Sequence, residues 1–221
     1  MLCDKVKFVE CDLASPEALS MSLDHIYSSL DGRNLSVVVN NAGIRGSGSV
    51  LNVSDSTIRK VFEVNFFAPI HIMREVTSRH LQIPSDKRLS LVNVSSILGT
   101  LGPKNLLAYS ASKAASIQAH ECFAEEMRPF DNITTLLVLP GQLTTEMFRD
   151  VSPSRLFFAP LVDHKRLAQQ IVQKIAAGEE GVLCEPFYAN FLPFVKVMPI
   201  YFQRLARWIS QMDEKIGDEA Q

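Results

Sequence analysis

Leu89-Ser90-Leu91-Val92-Asn93-Val94-Ser95-Ser96, with Tyr109-Ser110-Ala111-Ser112-Lys113 beginning thirteen positions after Ser96, decides the fold. The first stretch carries Leu89, Leu91, Val92 and Val94 among its first six positions, as expected for a strand largely covered on both faces. The second opens a run from Ala108 to Phe130 with helical period and small residues near its start. A buried strand feeding a helix is one half of a β-α-β unit.

Outward from this pair the alternation continues. Strands are expected at Val6 to Cys11, Leu35 to Asn40, Ile133 to Leu139 and Gly181 to Glu185, in addition to Leu89 to Ser95. Helices are expected from Ser15-Pro16 onward, over Ser54 to Leu81, and over Asp163 to Ala177 with Gly178 as the stop. The pattern predicts an α/β fold, a Rossmann-like doubly wound parallel sheet.

The chain has 221 residues, 47% hydrophobic and 21% charged, enough for one sizeable core. A net charge of -2 gives no reason to expect nucleic acid. Cys3, Cys11, Cys122 and Cys184 are scattered, and neither they nor His25, His71, His80, His120 and Asp24 show metal-binding spacing. No metal site is expected. Met1 to Glu10 carries Asp4, Lys5 and Lys7 and so lacks a signal-peptide core; the sequons at Asn52, Asn93 and Asn132 are read as chance in a protein that is not secreted.

Tyr109 and Lys113 are four apart and share a helical face, so a phenol and an ammonium can border one pocket. Taking a hydride from a carbinol needs a group to accept the hydroxyl proton, and the reverse reaction needs a donor. Tyr109 is the candidate, with the Lys113 cation expected to make it more acidic. Ser96, on the loop leaving its strand, can donate a hydrogen bond to the same substrate oxygen. Each has a plainer reading, an exposed cation beside a half-buried ring and a serine turn, and the combination is what argues for catalysis.

Five ordered motifs now coincide: Cys11-Asp12-Leu13, Asn40-Asn41-Ala42-Gly43, Asn65, Ser96 with Tyr109-x-x-x-Lys113, and Pro140-Gly141-x-x-x-Thr145. Over roughly residues 5 to 185 the chain resembles the short-chain dehydrogenase/reductases. The resemblance implies catalytic roles for Asn65, Ser96, Tyr109 and Lys113, with Asn65 distorting a helix to hold a water against the lysine. It also implies NAD or NADP bound by Asp12 and Leu13 near the adenine, by Asn40, Ala42 and Gly43 at the adenosine end, and by Tyr109, Lys113, Pro140, Gly141, Leu143 and Thr145 around the nicotinamide.

One part of that family pattern is missing. The glycine-rich turn that receives the diphosphate should precede Val6, and it is absent; Gly43-Ile44-Arg45-Gly46-Ser47-Gly48 follows a strand but has the wrong spacing. The sheet is therefore expected to lack its first β-α-β unit, as in a fragment or mis-started reading of a longer enzyme. Val6 to Cys11 should then either pair directly with Leu35 to Asn40 or hang poorly supported. NAD and NADP cannot be distinguished without that segment, and two functions stay open: an oxidoreductase acting on a lipophilic alcohol or carbonyl, or a non-catalytic remnant.

Residues 1–185 form the dehydrogenase-like unit and residues 186–221 an extension rich in aromatic and basic residues. Phe187, Tyr188, Phe191, Phe194, Tyr201, Phe202 and Trp208 are interleaved with Lys196, Arg204 and Arg207, and Pro193 and Pro199 interrupt the run. It is too short and broken to span a bilayer. Packing over an apolar pocket, a homodimer face, and contact of residues 186–208 with a membrane or lipid droplet are all compatible with it. The tail is loosely similar to the branch containing 17β-hydroxysteroid and retinol dehydrogenases. That similarity implies a steroid, retinoid or lipid-like substrate and a place on the cytoplasmic face of the endoplasmic reticulum or a lipid droplet.

Overall fold

In the computed structural model, which describes residues 6–83, 86–148, 160–211 and 213, four parallel strands form one sheet between helices. In chain order the elements are α1 (Pro16–Ser28), β1 (Val37–Asn40), α2 (Asp55–Phe62), α3 (Ala68–Gln82), β2 (Leu89–Val94), α4 (Leu107–Met127), β3 (Ile133–Pro140), α5 (His164–Ala177), β4 (Gly181–Glu185), α6 (Leu192–Val197) and α7 (Ile200–Ser210). The strands lie in the order β1-β2-β3-β4, with Val39 beside Val92, Val92 beside Leu136 and Leu137 beside Val182. This is the expected Rossmann-like α/β sheet.

Helix starts follow the local chemistry. The Ser15 hydroxyl accepts from the Ala18 amide ahead of Pro16, Ser54 accepts from Thr57, and Asp163 accepts from Lys165. Gly178 closes α5 in the left-handed region at φ 68°.

Every residue of β3 is buried, and alternate residues feed two cores. Val92, Leu136 and Val138 pack with Val162 and with Leu167 of α5 on one face. On the other, Leu89, Leu91 and Ile133 meet Val76 of α3 and Phe123 of α4. Burying one such side chain contributes about 1.5–3 kcal/mol, so the doubly covered strands are the most strongly held part of the molecule.

Val6 to Cys11 does not form the expected strand. Residues 6–10 have no regular structure, and Phe8 is 92% exposed. An extended segment gains little unless a neighbour takes up its amides and carbonyls, and β1 pairs only with β2 among the described residues. Of the two outcomes foreseen for this segment, the unsupported one is seen. Ordered packing begins at Cys11 and Leu13, which sit against Leu19, Leu23 and Ala68. The outer side of β1 stays open, with Val37 and Val39 exposed.

Candidate active site

The site grows from the end of β2. The Ser95 amide donates to the Val138 carbonyl at 2.9 Å, continuing the β2–β3 pairing by one residue, while its hydroxyl donates to the Lys113 carbonyl at 3.0 Å. Ser96 then caps a short 3₁₀ turn, Ile97–Gly99, by accepting from the Leu98 amide at 3.1 Å. Gly99 lies bare against α4: a Cβ there would stand 2.7 Å from the Lys113 carbonyl carbon and 2.9 Å from the Ala114 nitrogen. This backbone-to-backbone approach holds the Ser96 hydroxyl against the helix face that carries the tyrosine.

On that face Tyr109 and Lys113 are one turn apart and both buried. The Tyr109 phenol is hydrogen-bonded to the Ser96 side chain. Burial raises its pKa above the ordinary value, while the Ser96 bond and the charge of Arg45 oppose the rise. The Lys113 Nζ donates to the Val94 carbonyl at 2.9 Å and sits 5.8 Å from the centre of the Tyr109 ring. Burial lowers its pKa to about 8. The Lys113 ammonium is turned to the Val94 carbonyl, and the charge of Arg45 opposes the rise in the Tyr109 pKa. Arg45 lies over the Phe148 ring at 5.3 Å, and Phe148 meets Tyr109 edge-on at 5.7 Å.

The helix carrying Asn65 is distorted, as the resemblance implied. Glu63–Phe67 is a π-helical turn between α2 and α3, and widened turns of this kind are frequent at functional sites. The Asn65 amide accepts from the Ile44 N–H at 2.8 Å and donates to the Ile44 carbonyl at 2.9 Å and to Ser112 Oγ at 3.0 Å. Ser112 in turn donates to the Tyr109 carbonyl at 2.8 Å. One buried side chain thus ties the loop after β1 to α4. Gly43 fits in the gap, where a Cβ would be 3.3 Å from Asn65 Oδ1 and 3.5 Å from Lys113 Nζ.

Ser96, Tyr109 and Lys113 line one wall of a cavity of about 540 Å³. Its other walls come from the segment 140–148 and from Leu192 and Val195 of α6 and Ala206 and Ile209 of α7. The C-terminal helices are fastened there: Arg207 donates to the Gly102 carbonyl at 2.9 Å and pairs with Asp213 at 2.8 Å, and Asp213 accepts from the Lys104 amide at 3.0 Å.

The chain matches the short chain dehydrogenase family model over residues 2–156. It belongs to the short chain dehydrogenase family of oxidoreductases. It is 38% identical over 219 residues to the uncharacterized oxidoreductase TDA5 of Saccharomyces cerevisiae, covering 97% of this chain and 66% of that protein. The chain spans about two thirds of the length of the curated relatives it matches over most of its own. Among solved structures it is similar to a 4-hydroxyisoleucine dehydrogenase complexed with NADH, at 29% identity and a TM-score of 0.65 over 80% of this chain and 79% of that one. It is also similar to a short chain dehydrogenase from Burkholderia cenocepacia in complex with NADP, at 25% identity and a TM-score of 0.68 over 91% and 77%.

In this short chain dehydrogenase the residues singled out from sequence divide into two groups. Gly43, Ser96, Tyr109, Lys113, Pro140, Gly141, Leu143 and Thr145 all line the cavity, with Asn65 directly behind it. Asp12, Leu13, Asn40 and Ala42 do not. The Asp12 carboxylate accepts from the Ala14 amide at 2.9 Å, Leu13 packs on α1, and Ala42 is exposed. The Asn40 side chain points into the core, donating to Asn93 Oδ1 at 2.7 Å. Sequence reasoning missed Arg45 and Phe148 at or beside the cavity, while Tyr188 of the aromatic extension lines it. Arg45 was in view inside the glycine-rich loop, but its reach to Phe148 is a tertiary contact that no spacing signals.

Proposed function

We propose that the chain carries the proton-transfer centre of an oxidoreductase that interconverts an apolar alcohol, of steroid, retinoid or lipid-like character, and its carbonyl with NAD or NADP. One observation carries this reading: Ser96, Tyr109 and Lys113 share one wall of a cavity whose remaining surface is largely apolar. An apolar substrate gains from that enclosure, and the Ser96 and Tyr109 hydroxyls are polar partners for its oxygen.

The residues around the floor suit a nicotinamide. The cavity is bare of side chain at Gly43 and Gly141, and Lys113, Tyr109, Leu143 and Thr145 surround the gap with two cationic or hydroxyl donors and one further hydroxyl. Lys113, Tyr109, Pro140, Gly141, Leu143 and Thr145 would hold the group, which when bound supplies or takes the hydride. The 4-hydroxyisoleucine dehydrogenase structure with NADH and the Burkholderia structure with NADP support this choice of cofactor.

The remaining chemistry belongs to the chain. Burial favours the protonated Tyr109, the acid for a carbonyl oxygen in reduction; in oxidation it is the phenolate, formed by loss of that proton to solvent, that takes the hydroxyl proton. Ser96, with one hydroxyl proton, donates either to the substrate oxygen or to the phenolate, and so offsets charge on whichever carries it. Arg45 opposes the rise in the Tyr109 pKa across the Phe148 ring. Lys113 orients the cofactor side of the cavity from its anchor on Val94.

The second reading is a chain that keeps this fold without turnover. Fluorescence titration with NADH and with NADPH separates the readings. Binding together with turnover of an apolar alcohol, lost at least a thousandfold in Tyr109→Phe at unchanged melting temperature, is the expected result. Full activity in that variant removes Tyr109 from the chemistry, and no binding of either dinucleotide leaves the non-catalytic reading.

A further inference from the structure

Ten large apolar side chains between positions 187 and 208 are exposed, among them Phe194 at 65%, Tyr201 at 79% and Trp208 at 63%. Scattered exposed apolar residues are ordinary, but this density in one short segment is what soluble surfaces avoid. The residues recur on α7 at Tyr201, Leu205 and Trp208, positions i, i+4 and i+7, which form one stripe.

Charge decides what the stripe meets. From Pro186 to Gln211 the sequence contains Lys196, Arg204 and Arg207 and no acidic residue, although the chain as a whole has net charge -2. Arg207 is held by Asp213, and Lys196 and Arg204 remain exposed beside the apolar stripe. Two identical faces of this kind would bring cations onto cations, which disfavours a symmetric pair of copies. Aromatic rings with flanking basic residues match the boundary between acyl chains and anionic headgroups. No helix among the described residues is long and apolar enough to cross a bilayer, so the segment would lie along the surface.

Other positions of the same two helices, Leu192, Val195, Ala206 and Ile209, are walls of the cavity. We infer that the outer face of α6 and α7 docks on an anionic lipid surface and that this helix pair is the partition through which an apolar substrate passes between lipid and cavity. Only the passage of substrate rests on the proposed reaction; docking does not.

Trp208 is the chain's one tryptophan, so its emission reports the face directly. The full chain is mixed with phosphatidylcholine vesicles, with and without about one third phosphatidylserine, and followed by flotation and by Trp208 emission. Flotation with the anionic vesicles, a blue shift of Trp208 and reversal by salt are expected. Lys196→Gln combined with Arg204→Gln should weaken partitioning roughly fivefold per charge, about 25-fold together. Phe194→Ser with Tyr201→Ser, both surface changes, should abolish the blue shift while the melting temperature is held. Tyr109→Phe should float like the parent, so loss of turnover and loss of docking are read separately. No flotation, equal flotation of all variants, or a lipid-independent blue shift accompanied by doubling of the mass in light scattering would overturn the proposal, the last in favour of pairing between copies.

Discussion

The Lys113 ammonium donates to the Val94 carbonyl at 2.9 Å in surroundings that leave its residue only 5% exposed. One neutral acceptor does not replace the water lost from a charged group, and this is why the pKa falls to about 8. The position is thus kept at a cost to stability.

Lys113→Met should stabilise the fold and abolish turnover. The depressed pKa corresponds to roughly 3 kcal/mol of unfavourable burial near neutral pH, of which part returns when the charge is replaced by a methionine of similar volume. In the parent protein the unfolded chain holds the lysine proton between pH 8 and 10.5 and the folded chain does not, so stability rises with pH through that window. Thermal melts of both proteins from pH 7 to 10 check this; a parent melting temperature that falls relative to the variant across that range contradicts it.

His120 gives the opposite edge of the profile. Its Nδ1 lies 3.0 Å from the Asn93 amide nitrogen, whose oxygen already accepts from Asn40, so the ring must accept and stay neutral. Burial lowers its pKa to about 4. Between pH 6.5 and 4 the unfolded state binds a proton that the folded state refuses, and stability is lost as pH falls through that range. His120→Gln keeps an acceptor without a proton to bind. Urea midpoints for this variant should be flatter than the parent's between pH 6.5 and 4.

Asn65→Ala removes both partners of the Ile44 amide and carbonyl and should destabilise by about 2–4 kcal/mol. Gly99→Ala meets backbone atoms 2.7 and 2.9 Å away that cannot swing aside, and should destabilise by about 1–3 kcal/mol. Chemical denaturation measures both, and turnover should fall further than stability alone explains because each change shifts α4 against Ser96.

Arg45→Gln removes the cation that opposes the raised Tyr109 pKa. The phenol should then titrate at higher pH, and the ascending limb of the kcat/KM profile for alcohol oxidation, set by loss of the Tyr109 proton, should move upward by a fraction of a unit to about one unit. An unmoved limb would show that Arg45 does not act on this group.

How legible this was in the sequence depends on the range of the interaction. Ser15, Ser54, Asp163 and Gly178 announce helix ends because caps are local, and β2 and β3 are legible because strands buried on both faces are mostly apolar. Ser96, Tyr109 and Lys113 were found because two of them share one helical face and the third ends the preceding strand. Val6 to Cys11 misled because an apolar run states a preference for extension and says nothing of whether a neighbour is there to pair. Asn40 and the Lys113–Val94 bond were equally hidden, since the direction of a side chain at the end of a strand is set by what lies across the sheet.

Among the described residues β1 ends the sheet with Val37-Val38-Val39, a strand with no charge, proline or bulge to discourage company. Such an edge is adhesive toward any extended chain of similar character. Preparations of this chain should therefore turn cloudy on concentration well before they melt, and handling will be governed by colloidal behaviour more than by the strength of the fold.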